Sequence, residues 1–205
     1  FMLGPRLIAA CRMSHAVQSY FLLTTDDVDQ ARDIAKHLEE KNKDRKVMVE
    51  QVVQIIEKQL KEKDSISKIL VFGDPSWSAG GLGLVANKIK DKYGKSVFIW
   101  GGNGGSGEYK GSSRSNGEVN LVKLMETAGG DKLFTNFGGH FMAAGFAMTE
   151  DKSTELGARL NEAYKKLGKE KGDKRFEEWK LLQKERAPKG KDSHNFGKPS
   201  PQGSG

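Results

Sequence analysis

The sequence predicts an α/β architecture: a small mixed sheet flanked by helices, preceded by a long connector helix and followed by a basic, partly disordered tail. Three observations carry this. Apolar residues recur at steps of three and four from Ala31 to Leu60, the period of a helix with one buried stripe. Short apolar runs at Ile69-Leu70-Val71-Phe72 and Ser96-Val97-Phe98-Ile99-Trp100 enclose a helical segment, the order of a crossover between parallel strands. From Ala187 onward Lys, Gly, Pro, Ser and Gln dominate, a composition too poor in apolar side chains to build a core.

The elements follow in order. Leu7 to Leu23 carries scattered apolar residues and predicts short helices. Thr24-Thr25-Asp26-Asp27 reads as a helix start, because hydroxyls and carboxylates cap free N–H groups and suit the positive end of the helix dipole. The stripe then runs through Ala31, Ile34, Ala35, Leu38, Val49, Val52, Val53, Ile56 and Leu60. Asn42, Lys43, Asp44 and Arg45 interrupt it, so the helix is expected to bridge two bodies there, or to bend. Gly73-Asp74-Pro75 is expected to end the first strand. Leu82 to Tyr93 has helical periodicity, with Leu84, Val85 and Ile89 on one face and Gly94 as a C-cap. Gly101 to Gly107 predicts a turn and Glu108 to Ser115 a possible strand. Leu121 to Ala128 predicts a helix, Phe146 to Met148 a last strand, and Thr154 to Leu167 an amphipathic helix. Phe176, Trp179 and Leu182 lie at helical spacing and predict a helix that docks a protein partner.

Composition narrows the partners. Lys and Arg number 34 against 27 Asp and Glu, a net charge of +7 over 205 residues, which fits a polyanionic partner such as nucleic acid and equally an excess carried by a disordered tail. The single cysteine, Cys11, rules out a disulfide framework and a cysteine-based zinc site, and fits a reducing cytoplasm. No apolar run approaches membrane-spanning length, so a cytoplasmic protein with no membrane partner is expected. The first residue, Phe1, reads as the inside of a longer chain.

Three glycine-bearing stretches could hold chemistry. In Gly111-Ser112-Ser113-Arg114-Ser115, small residues let a phosphate approach, hydroxyls and N–H groups donate to it, and the guanidinium binds two of its oxygens. Taken alone, that stretch is better read as a solvated hairpin. In Phe137-Gly138-Gly139-His140, the glycines clear side chains from a ligand's path and His140 sits at a sharp turn. If the turn opens a helix at Met142-Ala143-Ala144, free N–H groups there favour an anion. A buried, hydrogen-bonded histidine in a glycine corner is the competing reading. Trp77-Ser78-Ala79-Gly80-Gly81-Leu82-Gly83 can present N–H groups between a strand and a helix, but matches neither a P-loop nor a dinucleotide fingerprint. Among the aromatics Tyr109, beside the Arg114 stretch, is the best candidate to stack on a base; Trp77 is less certain, and Trp100 reads as core.

The order of four motifs resembles the second half of the RecJ family of single-strand-specific DNA exonucleases, in the DHH phosphoesterase superfamily. They are Gly4-Pro5-Arg6…Arg12-Met13, Trp77…Gly83-Leu84-Val85-Ala86, Gly111-Ser112-Ser113-Arg114-Ser115 and Phe137-Gly138-Gly139-His140…Ala143-Ala144-Gly145, and the resemblance runs from Phe1 to about Leu167. It implies an N-terminal DHH domain that holds two Mn2+ or Mg2+ ions and a DHH-associated domain that faces it across a cleft. Single-stranded DNA is degraded there from its 5′ end. It also implies that Arg114 and His140 contact the substrate backbone, with Arg6 and Arg12 facing it from the first domain. The implied division is 1–24, the end of the DHH domain; 25–64, the connector helix; 65–168, the DHH-associated substrate-binding domain; and 169–205, the basic helix and tail. Ile8, Cys11, Ser78 and Ser113 stand where the family usually has Asn, Gly, His and Gly. No Asp-His-His motif occurs, and His15, His37, His140 and His194 lie in four unrelated contexts. Any metals are therefore expected on a DHH domain outside this chain, and none on it. Alone, the chain is expected to bind single strands weakly and cut nothing, with His140 at most stabilising charge at a scissile phosphate. The alternatives are a stand-alone nucleic-acid-binding or scaffold module, and a relative acting on short oligonucleotides or cyclic dinucleotides.

Overall fold

The computed structural model describes Gly4, residues 6–8, 17–62, 65–102, Gly105 and residues 107–167, all within one compact unit, Phe1–Lys171. Arg12 and the 169–205 segment, with its expected partner helix, lie outside the described residues.

Helix α1 (Val17–Thr24) is followed by α2 (Val28–Lys61). Asp27 starts α2 as expected: its carboxylate accepts from the Asp29 and Gln30 amides at 2.9 and 3.1 Å. The polar interruption does not separate two helices. Asn42 and Arg45 sit on the buried stripe itself, 2% and 7% exposed. Three residues apart on one face, they pair: Arg45 Nη2 donates to Asn42 Oδ1 at 3.0 Å, so α2 continues through.

The sheet has five strands in the order β1-β2-β3-β5-β4. They are β1 (Ile69–Ser78), β2 (Ser96–Gly102), β3 (Glu108–Arg114), β4 (Asn136–Gly139) and β5 (Ala143–Thr149). β1 and β2 are parallel and the other pairs antiparallel. β1 does not stop at Gly73. It passes through Pro75 to Ser78 with a register irregularity after Asp74, which an edge strand tolerates because Pro75 has no ladder donor to lose. The helix between them, α3 (Leu82–Tyr93), ends on Gly94 in the left-handed region at φ 63°. Helices α4 (Leu121–Ala128) and α5 (Leu156–Leu167) complete the fold. Asn161 on α5 ties down the free edge of β1, accepting from the Ile69 amide at 3.1 Å and donating to its carbonyl at 3.0 Å.

Two cores sandwich the sheet. Phe98, Tyr109, Ala144, Phe146 and Met148 face α4 and α5. Leu70, Phe72, Trp77, Val97 and Ile99 face α2 and α3. Trp77 is thus core. Trp100 stacks on Tyr109 with ring centroids 4.6 Å apart and planes 15° from parallel.

Candidate nucleic-acid interface

Side chains alternate across a strand, so Lys110, Ser112 and Arg114 share the α2/α3 face of β3 while Tyr109, Gly111 and Ser113 share the other. Register confirms it: Arg114 pairs with Val97 and Ser112 with Ile99, both in the α2/α3-side core. The guanidinium lies against the first turn of α3. A Cβ added at Gly83 would fall 2.9 Å from Arg114 Nη2 and 3.6 Å from Ser112 Oγ, so Gly83 makes room for both. Arg114 Nη1 donates to the Ser113 carbonyl at 2.8 Å. The positive end of the α3 dipole and a fixed guanidinium make this corner favourable to an anion.

On the far side of Arg114 the pairing continues to Ala143 on β5. The His140 amide donates to the Ala143 carbonyl at 2.8 Å, so His140 follows in the same row. Two strand spacings separate Arg114 from His140, about 10 Å between Cα atoms. His140 is exposed. No helix begins beside it. Phe141-Met142 close a tight hairpin and Ala143-Ala144 open β5, with the Phe141 and Met142 carbonyls taken by the Leu121 and Ser115 amides at 3.3 and 2.9 Å. The expected helix N-terminus is therefore replaced by a strand, because its carbonyls and amides are needed by the sheet.

Between Arg114 and the outer edge the α2/α3 face carries Ala143, Gly145 and Ala147 on β5, and Gly138 and Asn136 on β4. This side-chain-poor shelf contains a depression of about 410 Å³ lined in part by Lys110, Asn136, Gly138, Gly145 and Ala147. Lys110 belongs to none of the four motifs and Gly145 only closes the last of them; pairing of Lys110 with Ala147, and of Gly145 with Ser112 and Gly138, brings both to the shelf.

Three expected contacts are corrected by the pleat. Ser113 and Ser115 are fully buried, their hydroxyls donating to the Ala144 and Val119 carbonyls at 3.1 and 2.7 Å. Tyr109 is 8% exposed on the α4/α5 face, with Trp100 over its ring. Burial pushes its phenol above the ordinary tyrosine range, with a hydrogen bond to Glu150 adding to the shift. None of the three meets the shelf. Gly139 also belongs to the fold: at φ 146° its Cβ would lie 2.5 Å from the Ala143 carbonyl oxygen. Arg6 Nε pairs with Glu39, which holds it against α2. The Ala79–Gly81 turn serves packing: a Cβ at Gly81 would meet Met48 of α2 at 2.2 Å. Among the described residues no three His, Cys, Asp or Glu side chains converge, so none of them fits a metal ion. Nor is any described helix long and apolar enough to cross a membrane.

Comparison with known families decides what this sheet belongs to. The DHHA1 domain family matches residues 65–166, the span from just before β1 to the end of α5. Residues 65–166 are a DHHA1 domain. This RecJ-like DHHA1 domain and the helices before it are homologous to the C-terminal portion of RecJ exonucleases. The chain is similar to the single-stranded-DNA-specific exonuclease RecJ of Bacillus subtilis, 31% identical over 166 residues, covering 79% of this chain and 20% of that protein. It is similar to the Escherichia coli protein of that name, 34% identical over 171 residues, covering 79% of this chain and 29% of that protein. The crystal structure of RecJ in complex with Mg2+ from Thermus thermophilus superposes with a TM-score of 0.70 at 30% identity, covering 82% of this chain and 26% of that one. A RecJ structure bound to manganese gives the same TM-score, 0.70, and covers 41% of its chain. The chain thus spans about a fifth to three tenths of the curated relatives it matches.

Proposed function

We infer that this DHHA1 domain binds the sugar-phosphate backbone of single-stranded DNA, as the substrate-binding portion of a RecJ-like 5′–3′ exonuclease of DNA repair and recombination. The observation that carries the reading is the row Arg114–Ala143–His140 at one end of the shelf. It sets a guanidinium and an exposed imidazole two strands apart, with no side chain larger than a methyl between them.

Each group has a distinct part. Arg114 offers a planar fork to two oxygens of one phosphate, held by the Ser113 carbonyl and the first turn of α3. Neutral His140 donates one hydrogen bond; protonated, it adds charge. Ser112 faces the same side as Arg114 and can donate its hydroxyl to the same strand. Gly138 keeps the path open: a Cβ there meets nothing within 4 Å, so the fold leaves this space free for a ligand. Two divalent metals on a DHH domain would supply the activated water and neutralise the leaving oxygen. The residues of this chain bind and orient the strand.

The test is fluorescence anisotropy with a labelled oligothymidylate across a salt series. Arg114→Gln and His140→Gln should each weaken binding, and Arg114→Gln should flatten the log–log salt slope by about 0.7. Wild-type slopes and affinities in both variants would refute the reading.

A further inference from the structure

Past Arg114, β3 carries two more residues on the same face, Ser112 and then Lys110. Alternate residues of a strand are about 7 Å apart, close to the separation of neighbouring phosphates in a stretched single strand. Lys110 is exposed. It makes no ion pair among the described residues, whereas Lys88, Lys92 and Lys166 are held by Glu50, Glu57 and Glu162. Its column borders the 410 Å³ depression, and across that depression stand Gly138 and Gly145, partners in register. The fold does not require glycine at either place. A Cβ at Gly145 comes no closer than 3.8 Å to its nearest neighbour, the Gly111 carbonyl oxygen, one at Gly138 meets nothing within 4 Å, and neither φ is positive. The column changes sign one step later: Glu108 is an acid whose Oε1 accepts from the Thr135 hydroxyl at 2.7 Å.

We propose that Lys110 binds the phosphate two nucleotides along from the one held by Arg114, with the two intervening sugars and bases lying over Gly138 and Gly145. Glu108 ends the track, so this face holds three successive phosphates, at Arg114, Ser112 and Lys110. The proposal rests on the reading of Arg114 as a backbone contact.

Thymidine oligomers carrying one to five phosphates, titrated against the whole 205-residue chain at low salt, test it. Lys110→Gln should leave affinity unchanged for one or two phosphates and lower it by about three- to ten-fold for three or more, with a salt slope reduced by about 0.7 there. Lys110→Arg should restore both. Arg114→Gln should weaken binding at every length. A Lys110→Gln effect of equal size at every length, or of no size at any, overturns the proposal and leaves Arg114 intact. If Arg114→Gln is also silent, the reading beneath it falls as well.

Discussion

Gly138 and Gly139 are adjacent and serve opposite ends. Gly139 has φ 146°, and its Cβ would lie 2.6 Å from the Ala144 Cα, so Gly139→Ala should destabilise the domain by about 2 kcal/mol in urea unfolding. Gly138→Ala should leave the unfolding midpoint nearly unchanged and register in DNA binding instead. The sequence shows a glycine pair beside a histidine but not which glycine faces which way; that depends on pleat parity, which depends on register. The same parity divides Gly111 to Ser115. Read as a string it is one phosphate-binding cluster; folded as a strand and its exit, it sends Ser112 and Arg114 to the shelf and Ser113 and Ser115 into the core. Asp74 offers a prediction in pH. The Ser76 hydroxyl and then the Ser76 amide, at 2.5 and 2.8 Å, hold its carboxyl below the ordinary value. A folded-state pKa below the unfolded one contributes stability that is present above about pH 4 and lost as pH falls through the folded value. Ser76→Ala should shift the Asp74 carboxyl titration upward in NMR; an unmoved titration would contradict this.

At the scale of elements, helices were legible where local signals suffice. The caps at Asp27 and Gly94 and the bounds of α3 and α4 follow from residues within a few positions. Asp27→Ala should lower stability by about 1 kcal/mol, since two amides at the start of α2 lose their acceptor. Two features have non-local causes. The polar break at Asn42–Arg45 is a buried pair because Arg45 Nη2 finds the Asn42 Oδ1 one turn away on the stripe. The Met142–Ala144 segment is a strand because β3 is there to pair with it. Asn161 is a third such case. Its side chain stands in for a neighbouring strand at Ile69, which no local pattern reveals. Asn161→Ala should cost about 1–3 kcal/mol, because the buried end of β1 loses a donor and an acceptor together.

At the scale of the molecule, the sheet divides the labour. One face, with α4 and α5, is filled by Phe98, Phe146 and their neighbours and serves stability. The other is covered by α2 and α3 over β1 and β2, and it leaves the outer strands bare. That half-covered face is where we place the proposed interface. The order of motifs was enough to place the chain in its family, while the shape of the shelf required the strand order β3-β5-β4, which brings residues from three separate stretches together. If the metals belong to a DHH domain, as proposed above, the purified chain plus Mn2+ should release no nucleotides from a single-stranded substrate. Appreciable metal-dependent cleavage by a contamination-free sample would contradict the division of roles. The most direct test of the central claim is an NMR titration of the isotopically labelled chain with a short oligothymidylate. The account predicts that the largest amide shifts fall at Arg114, Gly138, His140 and Gly145. Shifts concentrated on α4 and α5, with those four amides unmoved, would contradict it.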